Sequence, residues 1–158
     1  MKYVFDESAI YYMLETFPRK AVPVLFERFC ADCNNGDIVS DKETRKSLNH
    51  LFEEEDSFEW LDGNKKMFYA IDQRESELLG DLILAGRFEF LSDAAEFSRN
   101  LPIAIPFIIT IAKSQNRTLV MDKKAKDSKA VENICQEEDV CFFFVDDYLK
   151  EAAERGQE

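Results

Sequence analysis

Val140-Cys141-Phe142-Phe143-Phe144-Val145 is an unbroken apolar run, bounded by Glu138-Asp139 on one side and Asp146-Asp147 on the other. A strand with one wet face alternates apolar and polar residues. A run without alternation reads as a strand buried on both faces, and that requires helices above and below a parallel sheet. Three further segments read as strands: Lys2–Phe5, Asp37-Ile38-Val39 and Thr118–Met121. Helical segments separate them, giving the order β-α-α-β-α-α-α-β-α-β-α. The expected architecture is a three-layer α/β/α sandwich around a central, mainly parallel sheet. A chain of 158 residues suits one domain, spanning 1–158.

The helix signals are local. Ser8 is placed to N-cap a helix that Pro18 stops. A second helix runs from about Lys20 to Asn34, with Pro23 in its first turn and Asn34-Asn35-Gly36 as its exit. Ser40 with Glu43 three residues on has the capping-box pattern. The stretch from Phe58 to Tyr69 yields only a turn at Asp62-Gly63-Asn64, and its aromatic residues Phe58, Trp60, Phe68 and Tyr69 read as core rather than as a base-stacking platform. Asp72 caps a helix through Ile83, Asp93 to Arg99 is a short helix or turn, and Pro106 opens an apolar helix through Ala112. Ser128–Gln136 and Asp146–Glu154 complete the set.

Composition excludes several functions. The net charge of −12 disfavours general nucleic-acid binding, which needs clustered Lys and Arg. Lys123, Lys124, Lys126 and Lys129 are the local cluster suited to a phosphate chain. Dense acidic runs at Glu53–Asp56 and Glu137–Asp139 read as solvated surface. No apolar run reaches membrane-spanning length and the N-terminus carries early acids, so the expected location is cytoplasmic. Cys30-Ala-Asp-Cys33 has zinc-ligand spacing but sits in a helical apolar pattern, which favours core cysteines. His50, the sole histidine, reads as a helix-surface residue and supports neither a triad nor a metal cluster. No glycine-rich phosphate loop occurs, which weakens a nucleotide-binding reading.

Two strands end in a carboxylate. Tyr3-Val4-Phe5 runs into Asp6, followed by Glu7 and Ser8, and Thr118-Leu119-Val120-Met121 runs into Asp122. Open parallel sheets bind ligands just beyond the carboxyl ends of their strands. The two acids can face one crevice if their strands are neighbours; otherwise they are surface aspartates that merely end strands.

Five segments, in order, resemble the PIN-like fold in the branch related to VapC toxins. Val4-Phe5-Asp6-Glu7-Ser8 is similar to its opening strand, usually followed by Asp-Thr-Asn. Gly36-Asp37-Ile38-Val39-Ser40 resembles its second strand, leading to a helix that normally carries a glutamate. Ala104-Ile105-Pro106-Phe107-Ile108-Ile109 resembles a helix start usually written Ala-Asp-Pro. Leu119-Val120-Met121-Asp122 resembles a later strand with its terminal acid, and Ala130–Cys135 followed by Val140-Cys141-Phe142 resembles the closing helix and strand. The resemblance implies a cluster of carboxylates at the strand ends holding Mg²⁺ or Mn²⁺, a metal-dependent endoribonuclease activity, and restraint by an antitoxin. Asp6 and Asp122 match ligand positions. The helix glutamate is replaced by Ser47, the aspartate before the proline by Ile105, and the opening asparagine by Ser8.

Other acids could compensate. Glu43 lies four residues before Ser47 on the same helix face and is the expected third ligand with Asp6 and Asp122, with Glu7 as the alternative; Asp41 is also close in sequence, and Asp93 and Glu96 lie before the helix start at Ile105-Pro106. Lys123, Lys124 and Lys126 would contact the RNA backbone. The alternative is a catalytically inactive PIN-like protein that binds an antitoxin, a toxin or another protein partner, and the resemblance also implies a homodimer.

Overall fold

The computed structural model describes residues 1–93 and 103–156. Five parallel strands form one sheet: β1 (Tyr3–Phe5), β2 (Ile38–Asp41), β3 (Phe68–Tyr69), β4 (Thr118–Met121) and β5 (Phe142–Phe144), in the spatial order β3-β2-β1-β4-β5. The pairing is in register across the centre: Val4 lies opposite Val39 on one side and Leu119 on the other, and Val120 lies opposite Phe143. Eight α-helices occur among the described residues: α1 (Glu7–Tyr11), α2 (Pro23–Asn35), α3 (Lys42–Leu51), α4 (Glu55–Gly63), α5 (Gln73–Leu84), α6 (Ile105–Ser114), α7 (Ser128–Glu137) and α8 (Val145–Arg155). None is long and apolar enough to cross a membrane. This is the three-layer α/β/α sandwich expected from the apolar strands.

The strand pleat divides the core in two. Tyr3, Phe5, Ile38 and Val120 point to one face, where they meet Phe29 of α2, Leu48 of α3, Leu61 of α4 and Tyr148 of α8. Val4, Val39, Leu119 and Met121 point to the other, against Leu82 of α5, Ile108 and Ile111 of α6 and Val131 of α7. Edge-to-face aromatic pairs lock the first face, with Tyr148 5.0 Å from both Tyr3 and Phe5. Phe58 and Trp60 pack against this core and Phe68 lies within it, in keeping with their reading as core. Cys33 is buried there too, Cys30 packs against it, and all four cysteines are free thiols.

Several local expectations change. The closing strand is shorter than its apolar run and only half-buried, because β5 lies at the edge of the sheet; Val145 instead opens α8. The uncertain stretch before Tyr69 contains α4, a 3₁₀ turn at Lys65–Met67 and the two-residue β3. Asp6, not Ser8, caps α1: its carboxylate accepts from the Ala9 N–H. Asp41, not Ser40, caps α3, accepting from the Glu43 and Thr44 N–H groups. Ser40 is part of β2 and its hydroxyl donates to the Phe5 carbonyl at 2.7 Å. A carboxylate offers two acceptor oxygens to adjacent amides, so it displaces a neighbouring serine from the cap. Asp72 and Glu75 form the reciprocal capping box on α5. Gly36 ends α2 at φ 87°, the left-handed conformation its position requires. The helix or turn expected at Asp93 to Arg99 falls largely outside the described residues.

Candidate functional site

In the strand order β3-β2-β1-β4-β5 the chain moves outward from β1 to β3 and then returns to place β4 on the other side of β1. The crevice between the carboxyl ends of β1 and β4 is therefore the topological switch point, the preferred ligand position in such sheets. A cavity of about 290 Å³ lies there, lined by both strand-tip acids, Asp6 and Asp122, together with Glu7, Ser8, Tyr11 and Ile105. Leu51 at the end of α3 and Lys124, Lys126 and Asp127 after β4 complete its rim.

Ser8 joins the two acids. Its Oγ lies 2.7 and 2.9 Å from the Asp6 carboxylate oxygens, toward which it donates, and accepts the Asp122 N–H at 3.0 Å. This follows from local structure: Asp6 caps α1, so the next turn carries Ser8 back over the carboxylate and toward the tip of β4. Asp6 is 4% exposed, and its carboxylate accepts from two neutral donors, the Ser8 hydroxyl and the Ala9 amide. Burial in this setting pushes its carboxyl up to about 7, while the Ser8 hydroxyl and Ala9 amide act in the opposite direction.

The structure brings together Asp6, Asp122, Lys124 and Lys126, but not Glu43. Glu43 lines a different cavity, with Asp41, Lys46, Ile71 and Phe107, and its carboxylate pairs with Lys46 at 3.1 Å. The capping of α3 by Asp41 explains this placement: it fixes the first turn of that helix beyond β2, one strand away from the crevice. Lys123 turns toward α8 and pairs with Asp146 at 3.0 Å. Ser47 is half-buried on α3. Ile105 does line the crevice, so an apolar side chain stands where the resemblance would place an acid. Glu96 and the side chain of Asp93 lie outside the described residues. Tyr11, Leu51 and Asp127 were not anticipated. Tyr11 follows Glu7 by four residues and shares its helix face, which is a readable signal; Leu51 and Asp127 reach the crevice through tertiary placement alone.

Among the described residues, no three His, Cys, Asp or Glu side chains converge into a metal-holding group. The crevice wall instead carries the carboxylates of Asp6, Glu7, Asp122 and Asp127 with the hydroxyls of Ser8 and Tyr11 among them. Such oxygen donors suit Mg²⁺ or Mn²⁺, and Mg²⁺ is commonly held by one or two carboxylates with several waters retained. Burial raises the Asp6 carboxyl, so a positive charge beside it would offset the cost of ionising it.

Fold and crevice together define an α/β/α protein with a carboxylate-bearing crevice at its topological switch point. The chain belongs to the family described as "Domain of unknown function (DUF4411)", which matches residues 3–155. No curated protein and no solved structure matches it.

Proposed function

We propose that this protein is a PIN-like domain of the VapC-toxin type, whose switch-point crevice binds a divalent cation and RNA phosphodiester. The observation that carries the reading is the Asp6–Ser8–Asp122 linkage facing a cavity rimmed by Lys124 and Lys126. Asp6 and Asp122 are the residues that would hold Mg²⁺ or Mn²⁺. A bound cation would supply Lewis acidity toward a phosphoryl oxygen and a water made acidic enough to attack at neutral pH. Ser8 orients the Asp6 carboxylate and ties the Asp122 backbone to it. Lys124 and Lys126 attract the phosphate backbone to an otherwise acidic molecule.

The test is Mn²⁺ binding by calorimetry on the wild type, Asp6→Asn and Asp122→Asn, followed by RNA cleavage with and without Mn²⁺. The expected result is wild-type binding that both substitutions weaken at least tenfold. Equal binding by all three proteins would remove the metal reading.

Ile105 favours a second reading, in which the fold is kept for binding a protein partner such as an antitoxin or a toxin of the same type, without catalysis. Ile105 and Leu51 both add apolar surface to the crevice wall, and Glu43 is held elsewhere by Lys46. On this reading Ile105→Asp leaves the protein inactive on RNA, and native extracts yield a stable complex. A monomer without a partner in such extracts would count against it, and RNA cleavage gained by Ile105→Asp would favour the first reading.

A further inference from the structure

A second concentration of positive charge lies away from the crevice, at the β3 edge of the sheet. A cavity of about 350 Å³ between the first turns of α3 and the 3₁₀ turn before β3 is lined by Lys42, Arg45, Lys46, Lys65 and Phe68. All its polar lining side chains are cationic, in a chain whose net charge is −12. Two carboxylates offset part of this: Glu43 pairs with Lys46 at 3.1 Å, and Asp62 sits 3.6 Å from Arg45 with its side chain 75% exposed. Lys42 and Lys65 have no carboxylate partner among the described residues, and Arg45 Nε is buried without a hydrogen-bond partner. Like charges converging on one hollow repel one another unless an anion joins them. Cationic donors gathered in a concave site, two of them only partly offset and two without a carboxylate partner, are the arrangement that compact anions select.

The ligand's shape follows from the cavity. Its volume lies at the small end of ligand pockets, room for a phosphate with its attached sugar and too little for a helix or a folded segment. Phe68 is buried in the core, so it offers no ring face on which a base could stack. Recognition here is therefore of charge and not of base identity.

We propose that Lys42, Arg45, Lys46 and Lys65 form a phosphate-binding site for a nucleotide phosphate, carried either by a single-stranded RNA or by a free nucleotide. The site goes beyond the crevice reading and needs no metal. It is tested with metal chelated, so failure of the crevice does not affect the outcome.

The experiment measures anisotropy of a 5′-labelled single-stranded oligouridylate, and calorimetric binding of uridine diphosphate, in EDTA at low ionic strength. The proteins are the wild type, the double variant Lys42→Ala/Lys65→Ala, and Lys20→Ala/Lys150→Ala as a charge-matched control on exposed residues elsewhere. The expected result is a loss of about tenfold in affinity confined to the first variant, with the loss growing weaker as salt rises. A loss for the oligomer identifies a strand as the ligand; a loss for uridine diphosphate alone identifies a free nucleotide. Equal losses in both variants, absence of binding to either probe, or equal competition by polyglutamate would overturn the proposal.

Discussion

A single carboxylate, Asp6, does two jobs whose demands conflict. As the cap of α1 it must accept from the Ala9 amide, and as a buried crevice acid it ionises only near pH 7, up from 3.8. The consequence for stability has a definite sign. The unfolded chain releases this proton first, so the favourable contribution of the neutral acid is complete below about pH 4 and is lost as pH rises through 7. Asp6→Asn keeps the cap and the Ser8 contact but has no charge to bury. Its stability advantage over the wild type should grow between pH 4 and pH 7 to a few kcal/mol, on the order of 4 at most, then level off. Urea unfolding at pH 4 and pH 8 checks this; a constant difference between the two proteins would contradict it. Ser8→Ala should cost about 1–2 kcal/mol, because the Asp122 amide loses its acceptor. It should also move the Asp6 titration still higher, since the hydroxyl stabilises the ionised form. Carboxyl NMR titration reads that shift. Asp6 and Asp122 were legible as strand-tip acids. The role of Ser8 was not, because its partners lie on different segments of the chain.

Secondary-structure elements show where local chemistry suffices and where it does not. The strands β1 and β4, the helix α6 behind Pro106 and the exit of α2 at Gly36 follow from runs, periodicity and turn residues. Gly36→Ala should cost about 1 kcal/mol through its positive φ, while open space around its α-carbon excludes a steric contribution. The capping serines expected at α1 and α3 stand one or two residues from the true caps, Asp6 and Asp41, in both cases because an aspartate outcompetes the nearby serine. Asp41→Ala should lower stability by about 2 kcal/mol in chemical denaturation, since it uncaps α3 and strips the buried Thr44 hydroxyl of its acceptor at 2.7 Å. The strand β3 has no sequence signal, because two residues, Phe68-Tyr69, carry no period. Pairing to Ser40 and Asp41 makes them a strand.

The whole molecule is tied together far from the crevice by a buried acid. Asp32 of α2 is 3% exposed and accepts from the Tyr148 hydroxyl at 2.7 Å and from Arg155 at 2.8 Å, linking α2 to both ends of α8. Removing Arg155 leaves that carboxylate without its countercharge. Arg155→Ala should therefore destabilise by about 2 kcal/mol, less than for a fully buried pair because the arginine is partly exposed, and should leave Mn²⁺ binding unchanged. Thermal unfolding with parallel calorimetry separates the two effects.

Sequence alone determined the layered α/β class and the two strand-tip acids, because burial on both strand faces and an acid after an apolar run are written in consecutive residues. The strand order that makes β1 and β4 neighbours, and so brings Asp6 and Asp122 into one crevice, was decided by tertiary structure. So were the diversion of Glu43 to Lys46 and of Lys123 to Asp146, and the gathering of Lys42, Arg45, Lys46 and Lys65 around one cavity. Each of these depends on which helix a loop delivers against which strand edge. That is settled by the packing of two hydrophobic faces over the whole sheet, and no window of adjacent residues contains it.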